Sequence, residues 1–287
     1  MAVNYTLLKQ TGFMQQKQKN NFSVRIHVTG GYLTASQIAK IAEIADKFGN
    51  GYVHLTSRQS IEIPFVKLEQ IEEFKQALAD GNLETSNCGA GVRTVTACQG
   101  NAICASGCIA TYELAKELDE RYASRKLPHK FKIGITGCQN NCLKAEENDL
   151  GIKGAIQAQW IESKCIHCGI CEKKCRHNAL KLQDNKIIIN KDLCTLCGKC
   201  YHACPVKCWD TQQGYIITFG GLFGNTISKG ESILPFVADK QKLIKICDAA
   251  IEFFEQHANS GERFKFTLDR TGWEEFKIIV QNAYEQA

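Results

Sequence analysis

The sequence predicts an α+β fold interrupted by a small cysteine-dense domain, and three observations carry that prediction. Apolar patterning of period 2 alternates with patterning of helical period through the N-terminal part of the chain. Two cysteine runs of like spacing then break a stretch otherwise rich in strand formers. After them, strand and helix character resumes.

The elements follow in order. Residues Phe22 to Val28 read as a short strand. "TASQIAKIAEIADKFGNG" reads as a helix, started by a capping box between Thr34 and Gln37 and stopped at Gly49-Asn50-Gly51. "YVHLTSRQSIEIPFV" alternates as a strand, with Val53, Leu55, Ile61 and Ile63 on one face and His54, Thr56, Arg58, Ser60 and Glu62 on the other. Lys67 to Asp80 is helical again. A strand ends near Cys98, turns at Gly100-Asn101 and gives way to a long helix through Tyr122. "HKFKIGITGCQNNC" places Phe131, Ile133 and Ile135 on one strand face and Lys130 and Lys132 on the other, roughly 7 Å apart. Taken alone, two such lysines read as a solvated strand face. From Ile161 to Gln213 the composition shifts to cysteines every third residue. "GYIITFGGLFGN" then resumes strand and turn character, and helices are predicted over Lys240 to His257 and Gly272 to Ala287.

With 287 residues, 44% of them hydrophobic, the chain can fill one large domain or two ordinary ones. A net charge of +5 without Lys/Arg runs argues against a nucleic-acid partner. The opening residues lack an apolar signal region, and no stretch approaches the ~18 apolar residues of a membrane span. The expectation is therefore a soluble, cytoplasmic protein. In the reducing cytosol, 16 cysteines point to metal ligation rather than to a disulfide framework.

The runs "CIHCGICEKKC" and "CTLCGKCYHACP" each have the C-x2-C-x2-C-x3-C spacing of two-cluster bacterial ferredoxins, where the fourth cysteine of each run serves the other run's cluster. This predicts one [4Fe-4S] cluster on Cys165, Cys168, Cys171 and Cys204, and a second on Cys194, Cys197, Cys200 and Cys175. Arg176 stands where the first run would have carried proline. A pair of structural zinc sites is the competing reading, but two consecutive triplets leave too many thiolates for it. A second quartet, Cys98 and Cys104 with Cys138 and Cys142, is by spacing alone a weak signal, because buried cysteines also serve as small hydrophobes. Both pairs follow predicted strand ends, in turns where backbone amides can point at sulfur.

On "GGYLTASQIAKIAEIADKFGNGYVHLTSRQSIEI", "GVRTVTACQGNAIC", "LPHKFKIGITGCQNNC", "NDLGIKG" and "GERFKFTLDRTGWEEFK", the chain resembles the sirohaem-containing sulfite and nitrite reductases, and its insert resembles that of the anaerobic and dissimilatory-type members. The resemblance implies a sulfite reductase half-repeat: a ferredoxin-like N-terminal domain over residues 1–80, a sirohaem/[4Fe-4S] α/β core over 81–160 and 214–287, and an inserted 2[4Fe-4S] ferredoxin domain over 161–213. It implies a core [4Fe-4S] cluster on Cys98, Cys104, Cys138 and Cys142, with Cys142 bridging to the sirohaem iron, and hence three clusters in all. It assigns the anion to Arg58, Arg93, Lys130 and Lys132, and leaves Cys88, Cys108, Cys208 and Cys247 structural.

The reaction implied is the six-electron reduction of sulfite to sulfide, with electrons relayed from an external donor protein (a ferredoxin or a flavin/NADH-linked subunit) through the clusters to the haem. No flavin or dinucleotide fingerprint is present, since "GGLFG" lacks the G-x-G-x-x-G order. The relatives of twice this size carry two copies of the core, so the single copy here implies a homodimer or higher oligomer in which the cations of one chain face the haem held by Cys142 of its neighbour. Reduction of nitrite to ammonia is the nearest alternative; Lys132 resembles the sulfite-reducing members, as nitrite-specialised ones tend to have a neutral residue there. A haem-less electron-transfer subunit and a zinc-binding module are the more distant ones.

Overall fold

The computed structural model describes residues 3–123 and 125–286. A first sheet gathers most of the N-terminal part. After helix α1 (Tyr5–Gln10) come strands β1 (Phe13–Gln15) and β2 (Asn21–Ile26), helix α2 (Ala35–Phe48), strands β3 (His54–Leu55) and β4 (Ile61–Lys67), and helix α3 (Ile71–Ala79). The strands form an antiparallel sheet in the order β1-β2-β4-β3. Phe13, Phe22, Val24, Ile26 and Ile63 from the sheet close a core with Ile41, Ile44 and Phe48 of α2 and Phe74 and Leu78 of α3. The Thr34–Gln37 capping box is formed, with Gln37 N–H donating to Thr34 Oγ1 at 3.2 Å and Thr34 N–H to Gln37 Oε1 at 3.0 Å.

One strand of the sequence reading is two. Between β3 and β4 the chain turns, Thr56 N–H donating to the Ser60 carbonyl at 2.8 Å and Gln59 adopting φ 58. The alternation across 53–63 therefore fails: Ile63 is buried, but Leu55 is 72% exposed and Val53 37%. Arg58 sits on the turn instead of on a strand face.

The second sheet is built from β6 (Thr96–Ala97), β8 (Ile133–Thr136), β9 (Leu150–Trp160) and β12 (Trp209–Phe219), with the small parallel pair β5 (Gly91–Val92) and β7 (Lys130–Phe131) beside it. β6, β8 and β9 run parallel, and β12 returns antiparallel along the whole of β9. Helix α4 (Thr111–Tyr122) begins well after the Gly100 turn, so residues 103–110 are loop, where a continuous helix was expected.

Trp160 pairs with Trp209 at the end of the β9–β12 ladder, and residues 161–208 leave the sheet between them. This segment holds α5 (Ile170–Lys174), the hairpin β10 (Leu180–Gln183) and β11 (Lys186–Ile189), and α6 (Lys199–His202). The first five residues of β12, Trp209 to Gln213, lie inside the stretch that composition marks as insert. The segment has its own small core of Cys171, Leu180, Ile187, Cys208 and Trp209. It is tied back to the sheet where Ile156 N–H donates to the Leu196 carbonyl at 2.7 Å.

Helices α7 (Lys240–His257), α8 (Phe264–Thr271) and α9 (Trp273–Glu285) complete the main core; α1 and α8 were not foreseen. Among the described residues no helix is long and apolar enough to cross a membrane.

Two features of this core fix the lysine strand. Phe131 is fully buried against Phe254 and Phe264, with ring centroids 5.4 and 5.2 Å away. Burial of such a ring contributes about 1.5–3 kcal/mol, so Lys130 and Lys132 are turned the other way. Behind them, Asp149 is wholly buried and accepts from Arg263 at 3.0 and 2.8 Å and from the Lys132 backbone N–H at 2.8 Å. Removing one partner of a buried ion pair leaves the other charge uncompensated, which costs about 3–5 kcal/mol. The Asp149→Ala variant is expected to lose stability of that order, read as a lowered melting temperature, whereas a melting temperature equal to wild type would show that the pair does not hold this strand.

Candidate active site

The four cations singled out in the sequence line one cavity of about 210 Å³, together with Arg25, Ser60, Ser86, Asn87 and Thr94. Arg58 reaches it from the β3–β4 turn, which is clamped to β6 by a reciprocal pair: Gln59 Nε2 donates to the Ala97 carbonyl at 2.8 Å, and Ala97 N–H donates to Gln59 Oε1 at 2.9 Å. The guanidinium of Arg58 donates to Asn148 Oδ1 at 2.8 Å and to the Thr94 carbonyl at 3.1 Å. Arg93 donates to the carbonyls of Asn87 and Cys88 at 3.0 and 2.6 Å, while its Nε is buried without a partner. Arg25 pairs with Glu62. Sequence reading missed Arg25, which shares the polar side of β2 with Ser23 and carries no motif.

Crowding shows in the titration of these groups. Burial, and then the Arg263 and Arg58 charges, outweigh Asp149 and lower the pKa of Lys132 to about 8. Lys130 is lowered by burial and by Arg263 and Arg93. Burial lowers Arg58 to about 10 against the attraction of Asp149. The cavity is thus a site that gains from an anion and holds an ammonium able to give up its proton near neutrality.

A second cavity, of about 500 Å³, shares Arg58 and Lys132 with the first and is lined also by Ser57, Thr96, Cys142, Leu143, Asn148 and Phe223. The structure therefore brings two of the cations and Cys142 to one space. Cys98, Cys104 and Cys142 all lie within electrostatic reach of Cys138. Cys98 Sγ accepts from Gly137 N–H at 3.0 Å. The turn carrying Cys138 presses on β9 so closely that a Cβ at Gly154 would run into the Gly137 carbonyl. Cys104 and Cys142 are exposed.

In the inserted segment Cys175 stands beside Cys194, Cys197 and Cys200 around a cavity of about 270 Å³, with Ile156, Leu180, Ile189 and Trp209. Cys204 stands beside Cys165, Cys168 and Cys171, with Cys208 also on that wall. The two runs fold alike: His167 and Leu196 have φ 53 and 55, and Gly169 and Gly198 have φ 69 and 68. Such turns aim successive amides inward, and His167, Ala179 and Cys208 N–H donate to Cys165, Cys175 and Cys204 Sγ at 3.3–3.4 Å. Amides on sulfur stabilise thiolates, so the donor sets suit iron–sulfur clusters. Among the described residues, no three His, Cys, Asp or Glu side chains gather closely enough to hold a single metal ion. Cys108, buried, lies within electrostatic reach of Cys104, Cys138 and Cys197, between the core quartet and the insert.

Comparison with known proteins gives the same direction. Residues 88–287 match the nitrite and sulphite reductase 4Fe-4S domain, and residues 14–81 match the nitrite/sulfite reductase ferredoxin-like half domain. The chain is 29% identical to one of the subunits of the anaerobic sulfite reductase of Salmonella typhimurium, over 98% of this chain and 90% of that one. It is 28% identical to the coenzyme F420-dependent sulfite reductase of Methanocaldococcus jannaschii over 92% of this chain, but spans only 43% of that protein. An assimilatory ferredoxin-dependent nitrite reductase of Haloferax mediterranei is 24% identical over 98% of this chain and 43% of its own length. Among solved structures, dissimilatory sulfite reductase I superposes with a TM-score of 0.75 at 19% identity, covering 91% of this chain and 69% of that one. The Mycobacterium tuberculosis NirA protein superposes with a TM-score of 0.68 at 16% identity, covering 97% and 46%. The half-repeat fold is therefore shared, and the chain belongs to the nitrite and sulphite reductase family of oxidoreductases.

Proposed function

We propose that this chain is a sirohaem-dependent sulfite reductase that takes sulfite to sulfide, and that Arg58, Arg93, Lys130 and Lys132 hold the anion. The observation that carries the proposal is the meeting of all four cations on one cavity, two of them also beside Cys142. In this reading Cys98, Cys104, Cys138 and Cys142 would hold one [4Fe-4S] cluster, and Cys142 would be the residue it shares with the sirohaem. The segment between Trp160 and Trp209 is a ferredoxin-type domain holding two more clusters, on Cys165, Cys168, Cys171 and Cys204 and on Cys175, Cys194, Cys197 and Cys200. When bound, these groups would relay the donor's electrons and carry the multi-electron chemistry that no side chain can. The rest falls to the chain: each cation near 4 Å from the anion contributes on the order of 4 kcal/mol before desolvation, and Lys132 gives its proton to a departing oxygen.

Placement supports an order among the cysteine sets. The Cys175/Cys194/Cys197/Cys200 set touches β9 through Ile156 and lies near Cys108, while the Cys165/Cys168/Cys171/Cys204 set has exposed Cys168 and Ile166. The outer set is then the one an electron-donor protein meets.

Sulfite is preferred over nitrite on the strength of Lys132, which adds a second cation on its strand. Steady-state rates of the anaerobically purified holoenzyme are expected to favour sulfite, with sirohaem extractable from it; a clear nitrite preference reverses the assignment, and absence of a tetrapyrrole from fully iron-loaded protein ends it.

Capture of the anion needs the charged form of Lys132, whose pKa is about 8. With nitrite, which binds no proton in this range, kcat/KM is expected to fall as pH rises through about 8, and Lys132→Arg to carry that limb upward. An unchanged limb in Lys132→Arg removes Lys132 from the role.

Residues 14–81 and 88–287 match one ferredoxin-like half domain and one 4Fe-4S domain, a single copy of the core. This supports a two-fold dimer in which the cations of each chain serve the Cys142 site of the other, although Arg58 and Lys132 also reach a cavity with their own Cys142. Mixing Lys132→Met and Cys142→Ser chains decides between the two. Shared sites recover about a quarter of wild-type activity, because half of random pairs are mixed and each mixed pair has one intact site; sites complete within one chain recover none.

A further inference from the structure

We propose that His27 feeds protons into the cationic cavity through the hydroxyls of Thr94 and Ser86. The inference rests on the reduction proposed above, in which each departing oxygen must take two protons to leave as water. The cavity's own lysines can supply one proton each before they need refilling.

His27 lies just beyond β2, on the wall of a separate cavity of about 450 Å³ with Thr29, Tyr32, Gln37, Glu84 and Tyr112. From its ring a file of polar atoms crosses to the cationic cavity. Nδ1 is 3.3 Å from Thr94 Oγ1, and Thr94 Oγ1 is 2.8 Å from Ser86 Oγ. Thr94 and Ser86 are 8% and 3% exposed, and both line the cationic cavity. On the other side of the ring, Nε2 is 2.5 Å from Asp119 Oδ2, which also accepts from Thr29 Oγ1 at 2.9 Å. Asp119 is further fixed by Val95 N–H, 2.9 Å from Oδ1.

The groups facing the ring suit it to hold a proton. Burial opposes its charge, but the hydrogen bond and charge of Asp119 on α4, with Glu84 behind, outweigh burial and raise its pKa above the ordinary histidine value. A bare structural clip between β2 and α4 would need only Asp119 and the ring; it would not need two hydroxyls in file toward the cations.

One pass moves one proton. His27 Nδ1–H passes to Thr94 Oγ as the Thr94 hydroxyl proton passes to Ser86 Oγ and the Ser86 proton to an oxygen in the cationic cavity. The ring is left neutral, with Nε2–H on Asp119; a turn of the ring about its Cβ–Cγ bond brings the bare Nδ1 to water in the cavity it lines, which returns one proton, and the two hydroxyls rotate back. No electron moves along this file; the electrons are those of the reduction itself.

The test uses the holoenzyme. His27→Gln is expected to lower kcat on the order of 10²-fold with KM unchanged and with a larger solvent isotope effect. In His27→Ala, added imidazoles are expected to restore turnover at rates that follow their pKa values. Thr94→Val should behave as His27→Gln, and Thr94→Ser should restore wild-type rates. If His27→Gln turns over like wild type, or if rescue ignores the pKa of the added imidazole, the relay is wrong. A readout without substrate separates this from the function itself: reduction-induced infrared difference spectra should show imidazole bands in wild type that vanish in His27→Gln. Their absence from wild type overturns the relay, whereas a wild type that shows them yet reduces neither sulfite nor nitrite overturns the proposed function alone.

Discussion

Five cations around about 210 Å³ repel one another, and the fold is arranged to hold them there. Two charges about 7 Å apart at an effective dielectric of 20 repel by about 2 kcal/mol. The backbone fixes the points from which they reach into the cavity: Phe131 is locked among aromatic rings, the Lys132 amide is on Asp149, and the Arg58 turn is clamped through Gln59 to Ala97. The carboxylates that pair with this group are Glu62 on Arg25 and, behind the lysines, Asp149 on Arg263, and each is already engaged. The unmet positive charge is what the proposed anion site rests on. Stability given up at such a site is a common cost of preorganisation.

The cysteine sets depend on a second backbone constraint. Thiolates held by turns need amides at sulfur, and those turns need residues at positive φ and close approach of neighbouring strands. Gly137 and Gly154 allow the Cys138 turn to lie against β9, and the same strand, two residues on, donates Ile156 N–H to the Leu196 carbonyl of the insert. Strand β9 thus carries the core quartet on one stretch and the inner cysteine set of the insert on the next. The long β9–β12 ladder makes this possible, because an insert tethered at one end of eleven paired residues keeps its distance to the core.

Local signals were legible in the sequence and tertiary ones were not. The Thr34 capping box, the bounds of α7 and the burial of Phe131, Ile133 and Ile135 followed from spacing and period. Alternation misled over 53–63, because a turn between two strands restarts the count and exposed Leu55. Arg58, Arg93, Lys130 and Lys132 came from the family resemblance; Arg25, Asn148, Asp149 and Arg263 were not marked, since their partners lie far along the chain and no local pattern marks a residue that is buried by distant elements. His27 escaped for the same reason: its two bonds reach to Thr94 and Asp119, and a lone histidine after a strand has no signature.

Charge balance links these features. In the proposed reduction, electrons delivered to the cationic pocket cancel part of the field that binds the substrate, and each proton that follows restores it. If Lys132 alone supplied protons, every turnover would spend the charge that captures the next anion, and affinity would fall as reduction advanced. In the proposed relay a separate source resolves the conflict. His27 stands outside the cationic cavity, paired with Asp119, so losing its proton leaves the five cations as they were. Anion capture and proton supply can then be tuned on different residues, the first by crowding that lowers lysine, the second by a carboxylate that raises histidine.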